Sequence, residues 1–312
     1  YFDAADEVGL LLQGEMGMLG GWAGMSPWHV YAWPQPTPGY RERLKWQWDQ
    51  VVLRDVNHPS ANLYCMSNEL GASTDFARTA WQCYHDTKAI KPTAFVIWTD
   101  GGLSEDLPGD FVNAEADSDE KCAKPVIQHE FRWWSSFPDV RIMGKYSGAV
   151  RPYAAEIALK AAEAHRISHV LPAAAANSQR LQFVEAKGKM EMCRRDHPRL
   201  AGICHFNAMD TNPSPQGIVD EFYETKWADA ATWRQTNGDT VILSSLGFED
   251  RVLAGGNTLR CELYVSDFSH PPLGAPSLDW ELLAGESRLG AGQIEYRHEP
   301  YCTCKADGFE VG

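Results

Sequence analysis

The sequence predicts an α/β protein: a (β/α)8 TIM barrel that lacks its N-terminal strands, followed by an all-β sandwich domain. Two observations predict this fold. Short apolar runs alternate with amphipathic stretches up to about residue 226, and after Trp227 β-rich runs follow one another between Gly, Pro and Asn turns. Alternation of strand and helix is typical of a parallel sheet covered by helices, and the eight-stranded barrel is its most common closed form.

The apolar runs give six strands in the first part of the chain, and amphipathic stretches lie between them. Strands are predicted at 9–13, 61–66, 94–98, 110–113, 125–129 and 200–206, and helices at 40–55, 74–89, 153–165 and 178–196. Gly9 is predicted to end a helix before the first strand. Since a closed barrel needs eight strands, we expect two more before Tyr1, supplied by missing N-terminal polypeptide or by a partner chain.

The second part of the chain predicts strands at 240–243, 258–265, 278–283 and 294–297. Turn residues separate them and no helical stretch lies between, which is typical of an antiparallel sandwich. We therefore expect a partial TIM-barrel domain over residues 1–228 and a truncated, Ig-like β-sandwich over 229–312, joined around residues 229–239.

Composition excludes several classes of protein. The chain has 42 Asp and Glu against 28 Lys and Arg, a net charge of −14, which would repel a phosphate backbone. No apolar run approaches the roughly 18 residues of a membrane span. The eight cysteines form no CxxC pair, and no cluster has metal-ligand spacing. We therefore expect no nucleic acid, no membrane, no cofactor and no metal; the start carries no address, and we favour an extracytoplasmic or secreted location.

Two carboxylates follow predicted strands. The run ANLYCMSNEL contains Asn68-Glu69 after its apolar core, and KPVIQHEF contains Glu130 near its end. Carboxyl ends of barrel strands open into the mouth where the chemistry takes place. A glycosidase needs two opposed carboxylates there, one to protonate the leaving oxygen and one to support an oxocarbenium-like centre. On spacing alone, exposed loop carboxylates explain the pair equally well.

The residues around these carboxylates resemble those of glycoside hydrolase family 2, the β-galactosidases, β-glucuronidases and β-mannosidases. RDVNHPSANLYCMSNEL (54–70) resembles the acid/base segment, Arg-Asp-x-Asn-His-Pro-Ser, a buried strand, then Asn-Glu. KPVIQHEF (124–131) is similar to the nucleophile strand, FDAADEVGLLLQGEM (2–16) to the helix and third strand, and LAGICHFNAMDTNPSPQGIVDEFYETK (200–226) to the eighth strand and its sequel. The resemblance covers residues 1 to about 230 in order, and the β-rich tail fits the family's sandwich modules.

This resemblance implies a retaining exo-β-glycosidase that works by double displacement through a covalent glycosyl-enzyme. Glu69 would be the acid/base and Glu130 the nucleophile, while Asn68 would hydrogen-bond the sugar 2-hydroxyl. Glu15 would contact substrate hydroxyls, with a structural, salt-bridged acid as its alternative. The substrate would be a carbohydrate, and a homo-oligomer stays open.

Some residues depart from the family pattern. The eighth strand has Cys204, His205 and Phe206 where the family carries a Trp. Trp133 and Trp134 are candidates for a replacement sugar platform, and Trp98 is expected in the core; His205 is the candidate site histidine if its strand turns it inward. The Asn-x-Lys motif of β-glucuronidases is absent from the sequence, which favours a neutral hexose over a uronic acid.

A second function class remains open. A non-catalytic carbohydrate-binding or scaffold protein, built on a degenerate glycosidase barrel, would also explain the missing eighth-strand Trp. Retention of Glu69 and Glu130 within their motifs argues against it.

Overall fold

The computed structural model describes residues 1–16, 39–68, 74–101, 107–118, 120–131, 134–211, 214–247, 252–274 and 277–312, with backbone alone at 40, 74–77 and 131. The chain divides into two compact units. Unit 1 consists of Tyr1–His129 and Arg199–Cys204, and unit 2 of Glu130–Pro198 and His205–Gly312. Within the described ranges, no helix has both the length and the apolar character needed to cross a membrane.

Unit 1 alternates helices and short strands. Its helices are α1 (Phe2–Val8), α2 (Tyr40–Asp55) and α3 (Thr74–Ile90), with a 3-10 turn at Ala116–Ser118. Its strands are β1 (Gln13–Glu15), β2 (Leu63–Cys65), β3 (Phe95–Ile97), β4 (Val112–Ala114), β5 (Val126–Phe131) and β6 (Leu200–His205), the last two ending in residues of unit 2. All six predicted strands are therefore present, shifted by a few residues.

The strands of unit 1 form two three-stranded sheets, β1-β2-β3 and β4-β5-β6. The β1–β2, β2–β3 and β4–β5 pairs are parallel. In both sheets neighbouring strands are also consecutive along the chain, as they are in a barrel wound in one direction. A bridge between Ile97 and Gly109 links the end of β3 to the segment before β4. The described strands do not form a closed barrel.

The first predicted strand was placed too early. Gly9 ends α1 as predicted, in the left-handed conformation at φ 72°, and its N–H bonds to the Ala5 carbonyl. Leu10 and Leu11 are exposed, and pairing with β2 begins only at Gln13. The apolar run is therefore mainly the connection between α1 and β1, and its exposed leucines precede the paired residues.

Helix α2 packs against α3 over the core of unit 1. Trp48 is fully buried on α2, and its Nε1 donates to Thr87 Oγ1 on α3 at 2.8 Å. The indole ring meets Tyr64 of β2 edge-on at 6.1 Å. Trp98 is 4% exposed and belongs to the same apolar cluster, so the core role predicted for it is confirmed.

Helix α1 is anchored to the turn before β2 by one carboxylate. Asp6 accepts from the Ser60 backbone N–H at 2.8 Å and contacts His58 Nδ1 at 2.7 Å. Hydrogen bonds from Ser60 and then His58 lower the pKa of Asp6 to about 2. The His-Pro-Ser part of the acid/base motif therefore holds a helix from the start of the chain.

Unit 2 contains the remaining helices and five antiparallel strands. Its helices are α4 (Tyr153–Ala164), α5 (Leu171–Asp196) and α6 (Ala230–Asn237), with 3-10 turns at Val140–Lys145 and Ser168–Val170. Helix α5 begins seven residues before the predicted 178, in an Ala-rich stretch. Helix α6 was not predicted; it occupies the predicted joint, and its N-cap Asp229 accepts from the Thr232 N–H at 2.8 Å.

The β-rich part consists of β7 (Thr240–Ser244), β8 (Leu259–Asp267), β9 (Ser277–Ala284), β10 (Ser287–Glu295) and β11 (Cys302–Val311). They form two antiparallel sheets, β11-β8-β7 and β9-β10. Val265 of the first sheet and Leu278 and Ile294 of the second share one buried cluster. The strand predicted at 294–297 lies mainly earlier, and β11 was not predicted at all.

An aromatic stack joins the two sheets. The Trp280 ring on β9 lies parallel to Phe309 on β11, with centroids 4.1 Å apart. A Cβ added at Gly290 or Gly292 of β10 would meet the same indole at 3.2 Å or 2.9 Å. The glycines, which have low strand propensity, are thus needed to make room for Trp280.

Candidate active site

Glu130, the predicted nucleophile, lies in β5 as the sequence indicated. It is half-buried and has a φ of 36°, in the left-handed region that non-glycine residues rarely adopt. Such backbone geometry costs about 1–3 kcal/mol and clusters at functional sites. Glu69, the predicted acid/base, and Trp133 lie outside the described residues.

Asn68 follows β2 and is held by the segment after β3. It forms a parallel bridge with Asp100, whose backbone N–H donates to the Ser67 carbonyl at 3.0 Å. Ser67 Oγ in turn donates to the Trp98 carbonyl at 2.7 Å. The backbone at Ser67 and Asn68 is therefore fixed on one side by the segment that follows β3.

Glu15 is the last residue of β1, the strand end at which the sequence predicted it. Its backbone pairs with Cys65 of β2, and its side chain is exposed. Glu15 and Asn68 thus follow adjacent parallel strands at the same edge of one sheet.

A buried polar network lies at these strand ends, and the sequence did not predict it. The Asp100 carboxylate, 6% exposed, accepts from Gln13 Nε2 at 2.8 Å and from Asn113 Nδ2 at 2.5 Å. Asn113 Nδ2 also lies 3.8 Å from Cys204 Sγ. The network therefore links β1, the end of β3, β4 and β6. The available signal was Asp100 itself, a carboxylate two residues beyond an apolar strand run.

Two thiols share this region. Cys65 is fully buried and Cys204 is half-buried; both are free, as all eight cysteines are. Burial raises the pKa of the Cys65 thiol well above its usual value, and the charges of Asp100 and Glu15 raise it further. Burial also raises the pKa of Cys204. Both are therefore protonated thiols at neutral pH, which suits packing and not nucleophilic attack.

The remaining predicted site residues belong to unit 2. His205, at the end of β6, meets the Trp233 ring edge-on at 5.8 Å. Burial, and then the Lys226 charge, lower the pKa of His205 to about 4, so its imidazole is neutral near pH 7. Trp134 is half-buried, and its carbonyl accepts from Gln182 Nε2 at 2.6 Å.

Unit 2 also contains a cavity of about 480 Å³, and a buried ion pair forms part of its lining. Lys226 Nζ lies 3.0 Å from Asp210 Oδ1, and the two side chains are 4% and 6% exposed. Lys226 also donates to the carbonyls of Pro215 and Gly217. Burial raises the pKa of Asp210 to about 6 despite this partner. The pair ties together the two ends of the segment that follows β6.

Among the residues that the structure describes, no group of three or more His, Cys, Asp or Glu side chains could hold a metal ion. The chemistry of the described strand ends is that of carboxylates, amides and thiols.

Comparison with known proteins gives matches among solved structures alone, since no family model and no curated protein matches the sequence. Bacteroides uniformis beta-glucuronidase 2, solved with cyclophellitol-6-carboxylate aziridine covalently bound, has a TM-score of 0.49 and 14% identity over 99% of this chain and 40% of its own. The FMN-binding beta-glucuronidase of Faecalibacterium prausnitzii L2-6 has a TM-score of 0.45 and 12% identity over 98% of this chain and 44% of its own. A family 2 glycosyl hydrolase of Bacteroides cellulosilyticus has a TM-score of 0.42 and 11% identity over 98% of this chain and 39% of its own.

The chain is similar to glycoside hydrolases of family 2. This is the family that its strand-end motifs resemble, and the chain spans about 40% of the length of the solved structures it matches.

Proposed function

We propose that the protein is a retaining exo-β-glycosidase that removes a terminal β-linked sugar. The observation that carries this proposal is Glu130, a half-buried carboxylate in a parallel strand whose backbone is strained at that residue. Strain of this kind persists only where the surrounding structure enforces it, and it is concentrated at active sites. The strand around it carries the nucleophile motif, and the segment that β3 holds in place carries the acid/base motif.

In the first step the Glu130 carboxylate attacks the anomeric carbon and Glu69 gives its proton to the departing oxygen. The product is a glycosyl ester on Glu130. In the second step Glu69, now ionised, takes a proton from water, which attacks the same carbon from the opposite face and releases the sugar with its original configuration. This mechanism requires the two carboxyl groups to lie about 5 Å apart. Asn68 hydrogen-bonds the 2-hydroxyl, and Glu15 contacts further hydroxyls.

The fold proposed for this activity is a TIM barrel followed by a β-sandwich. Support for the barrel is that β1–β2, β2–β3 and β4–β5 are parallel pairs of strands that follow each other in the chain, with helices between most of the six strands. Support for the sandwich is the cluster shared by β8, β9 and β10. Chain order and a shared apolar layer are what these two architectures require.

Variants of the two glutamates test the proposal on a panel of aryl β-glycosides. We expect Glu130→Ala to abolish turnover for every substrate, and azide to restore it with a product of inverted configuration. Glu69→Ala should spare substrates with good leaving groups, because these need little protonation, and azide should then give a product of retained configuration. Glu120→Ala, which removes an exposed carboxylate before β5, is the matched control and should turn over normally.

The assignment would be reversed if azide gave the retained product with Glu130→Ala and the inverted product with Glu69→Ala. If neither variant slowed hydrolysis, the glycosidase proposal would be wrong. Sugar binding without any turnover in the unmodified protein would instead support the carbohydrate-binding alternative, which the Cys204-His205-Phe206 sequence favours.

A further inference from the structure

The Asp100 carboxylate has no part in the mechanism above, yet it lies beside residues that do. Its backbone pairs with Asn68, the residue before the acid/base, and its side chain reaches Gln13 of β1, two residues before Glu15. A charge in this position acts on whatever occupies the strand ends, because charges inside a protein are screened less than charges in water. The inference drawn from it rests on the proposed function.

The hydrogen-bond partners of Asp100 are neutral. Gln13 and Asn113 donate through amide groups, and among the described residues no Lys or Arg forms an ion pair with this carboxylate. The Asn113 side chain is 1% exposed, and its Oδ1 has no hydrogen-bond partner. The region therefore contains a buried carboxylate whose side-chain donors are both neutral amides, together with a buried acceptor that still lacks a donor.

The two thiols in this region respond to the same field. The carboxylates of Asp100 and Glu15 both raise the pKa of Cys65 on β2, and they act in the same direction on Cys204 on β6. Among the described residues, no cation is one of the main causes of either shift. Two groups on different strands of unit 1 thus experience the same negative environment.

We propose that Asp100 is a specificity-determining residue, which makes the site accept glycosides of neutral hexoses and reject glycosides of uronic acids. A neutral sugar brings hydroxyl groups that donate to carboxylate and amide oxygens. A uronic acid brings a second negative charge into a region that already contains Asp100 and Glu15, and like charges in a partly buried site repel strongly. Selectivity then arises from repulsion of the wrong substrate as well as attraction of the right one.

The experiment measures kcat/KM of the full chain on two pairs of 4-nitrophenyl substrates whose members differ only at C6. The first pair is the β-D-glucoside and the β-D-glucuronide, and the second is the β-D-galactoside and the β-D-galacturonide. We expect kcat/KM to be at least 100-fold higher for the better neutral substrate than for its uronide. Asp100→Asn keeps the shape and removes the charge, and it should lower that ratio at least tenfold, mainly by raising the uronide rate. A preference of the unmodified protein for a uronide would overturn the inference without any variant.

Asp110→Asn is the matched control. It removes one carboxylate charge two residues before β4, where Asp110 pairs with Lys88 at 2.7 Å, and should leave the ratio unchanged. An unchanged ratio in Asp100→Asn, or an equal change in Asp110→Asn, would contradict the role of Asp100 while leaving the glycosidase proposal intact.

Binding separates the two proposals if no substrate is hydrolysed. Tryptophan fluorescence titrations with methyl β-D-glucoside and methyl β-D-glucuronide, and with the corresponding galactosides, measure selectivity without catalysis. At least tenfold tighter binding of the neutral member of a pair supports the inference even where turnover fails. Equal or tighter binding of the uronide, or no binding of either pair, refutes it.

Discussion

The hydrogen bond between Trp48 and Thr87 should make a measurable contribution to stability. Both residues are essentially fully buried, at 0% and 1% exposure, and the bond joins α2 to α3 at 2.8 Å. Thr87→Val preserves the shape of the side chain and removes the acceptor, so the indole N–H is left buried and unpaired. A buried unsatisfied donor costs about 1–3 kcal/mol, and we expect Thr87→Val to lower the free energy of unfolding by about 2 kcal/mol.

A double-mutant cycle separates this bond from other effects. In Trp48→Phe the donor is absent, so adding Thr87→Val should cost only about 1 kcal/mol, for the lost hydroxyl bond to the Cys83 carbonyl. The coupling is then about 1 kcal/mol, obtained from urea unfolding followed by far-UV circular dichroism. Thr93→Val, at an exposed position, should change stability by less than about 0.5 kcal/mol. Equal costs of Thr87→Val in both backgrounds would refute the reasoning.

Three further predictions concern other contacts. Gly292→Ala should lower thermal stability by about 1–3 kcal/mol, because the added Cβ meets Trp280 Nε1 at 2.9 Å. Asp6, with its pKa lowered to about 2, stabilises the fold fully above its unfolded value near 4 and loses this effect as pH falls towards 2; Asp6→Asn should therefore reduce stability at pH 7 more than at pH 2, measured by urea unfolding. Lys226→Met should cost about 3 kcal/mol, since it leaves Asp210 buried without its cation.

Each of these has a control in the chain. A Cβ at Gly274 meets nothing within 4 Å, so Gly274→Ala should be close to neutral. Asp3, 94% exposed, should give no change in the pH dependence as Asp3→Asn. Lys145→Met removes an exposed ion pair with Glu224, which solvent screens, and should change stability far less than Lys226→Met. A control that behaves like its test variant would contradict the contact in question.

The elements that the sequence predicted well are those with a clear apolar period. Helix α2 occupies Tyr40–Asp55, the predicted range, because its buried residues recur at helical spacing. Helix α6 is eight residues long and is set by its Asp229 cap and not by an apolar face. Most of strand β10 was not predicted because it contains glycines. These glycines make room for Trp280, a requirement that arises only when β9 pairs with β10.

In the candidate site, too, the residues that the sequence predicted are those marked by a local pattern. Glu15, Asn68 and Glu130 lie at strand ends, where short apolar runs followed by polar residues had placed them. The roles assigned to them remain predictions. Asp100 and Asn113 could not be found by pattern, because their significance comes from partners on other strands: Gln13 is 87 residues from Asp100 in sequence.

The network around Asp100 also determines how β1 pairs. This strand is Gln13-Gly14-Glu15, with no apolar side chain, so no hydrophobic pattern distinguishes its pairing with β2 from one shifted by a residue. The bond from Gln13 to Asp100 makes that distinction, since a slip would bring Gly14 to the carboxylate and leave Asp100 Oδ2 without this donor. One side chain therefore contributes to strand alignment as well as to the local field. A chain that lost Asp100 would therefore need a new partner for Gln13 to keep β1 in this alignment.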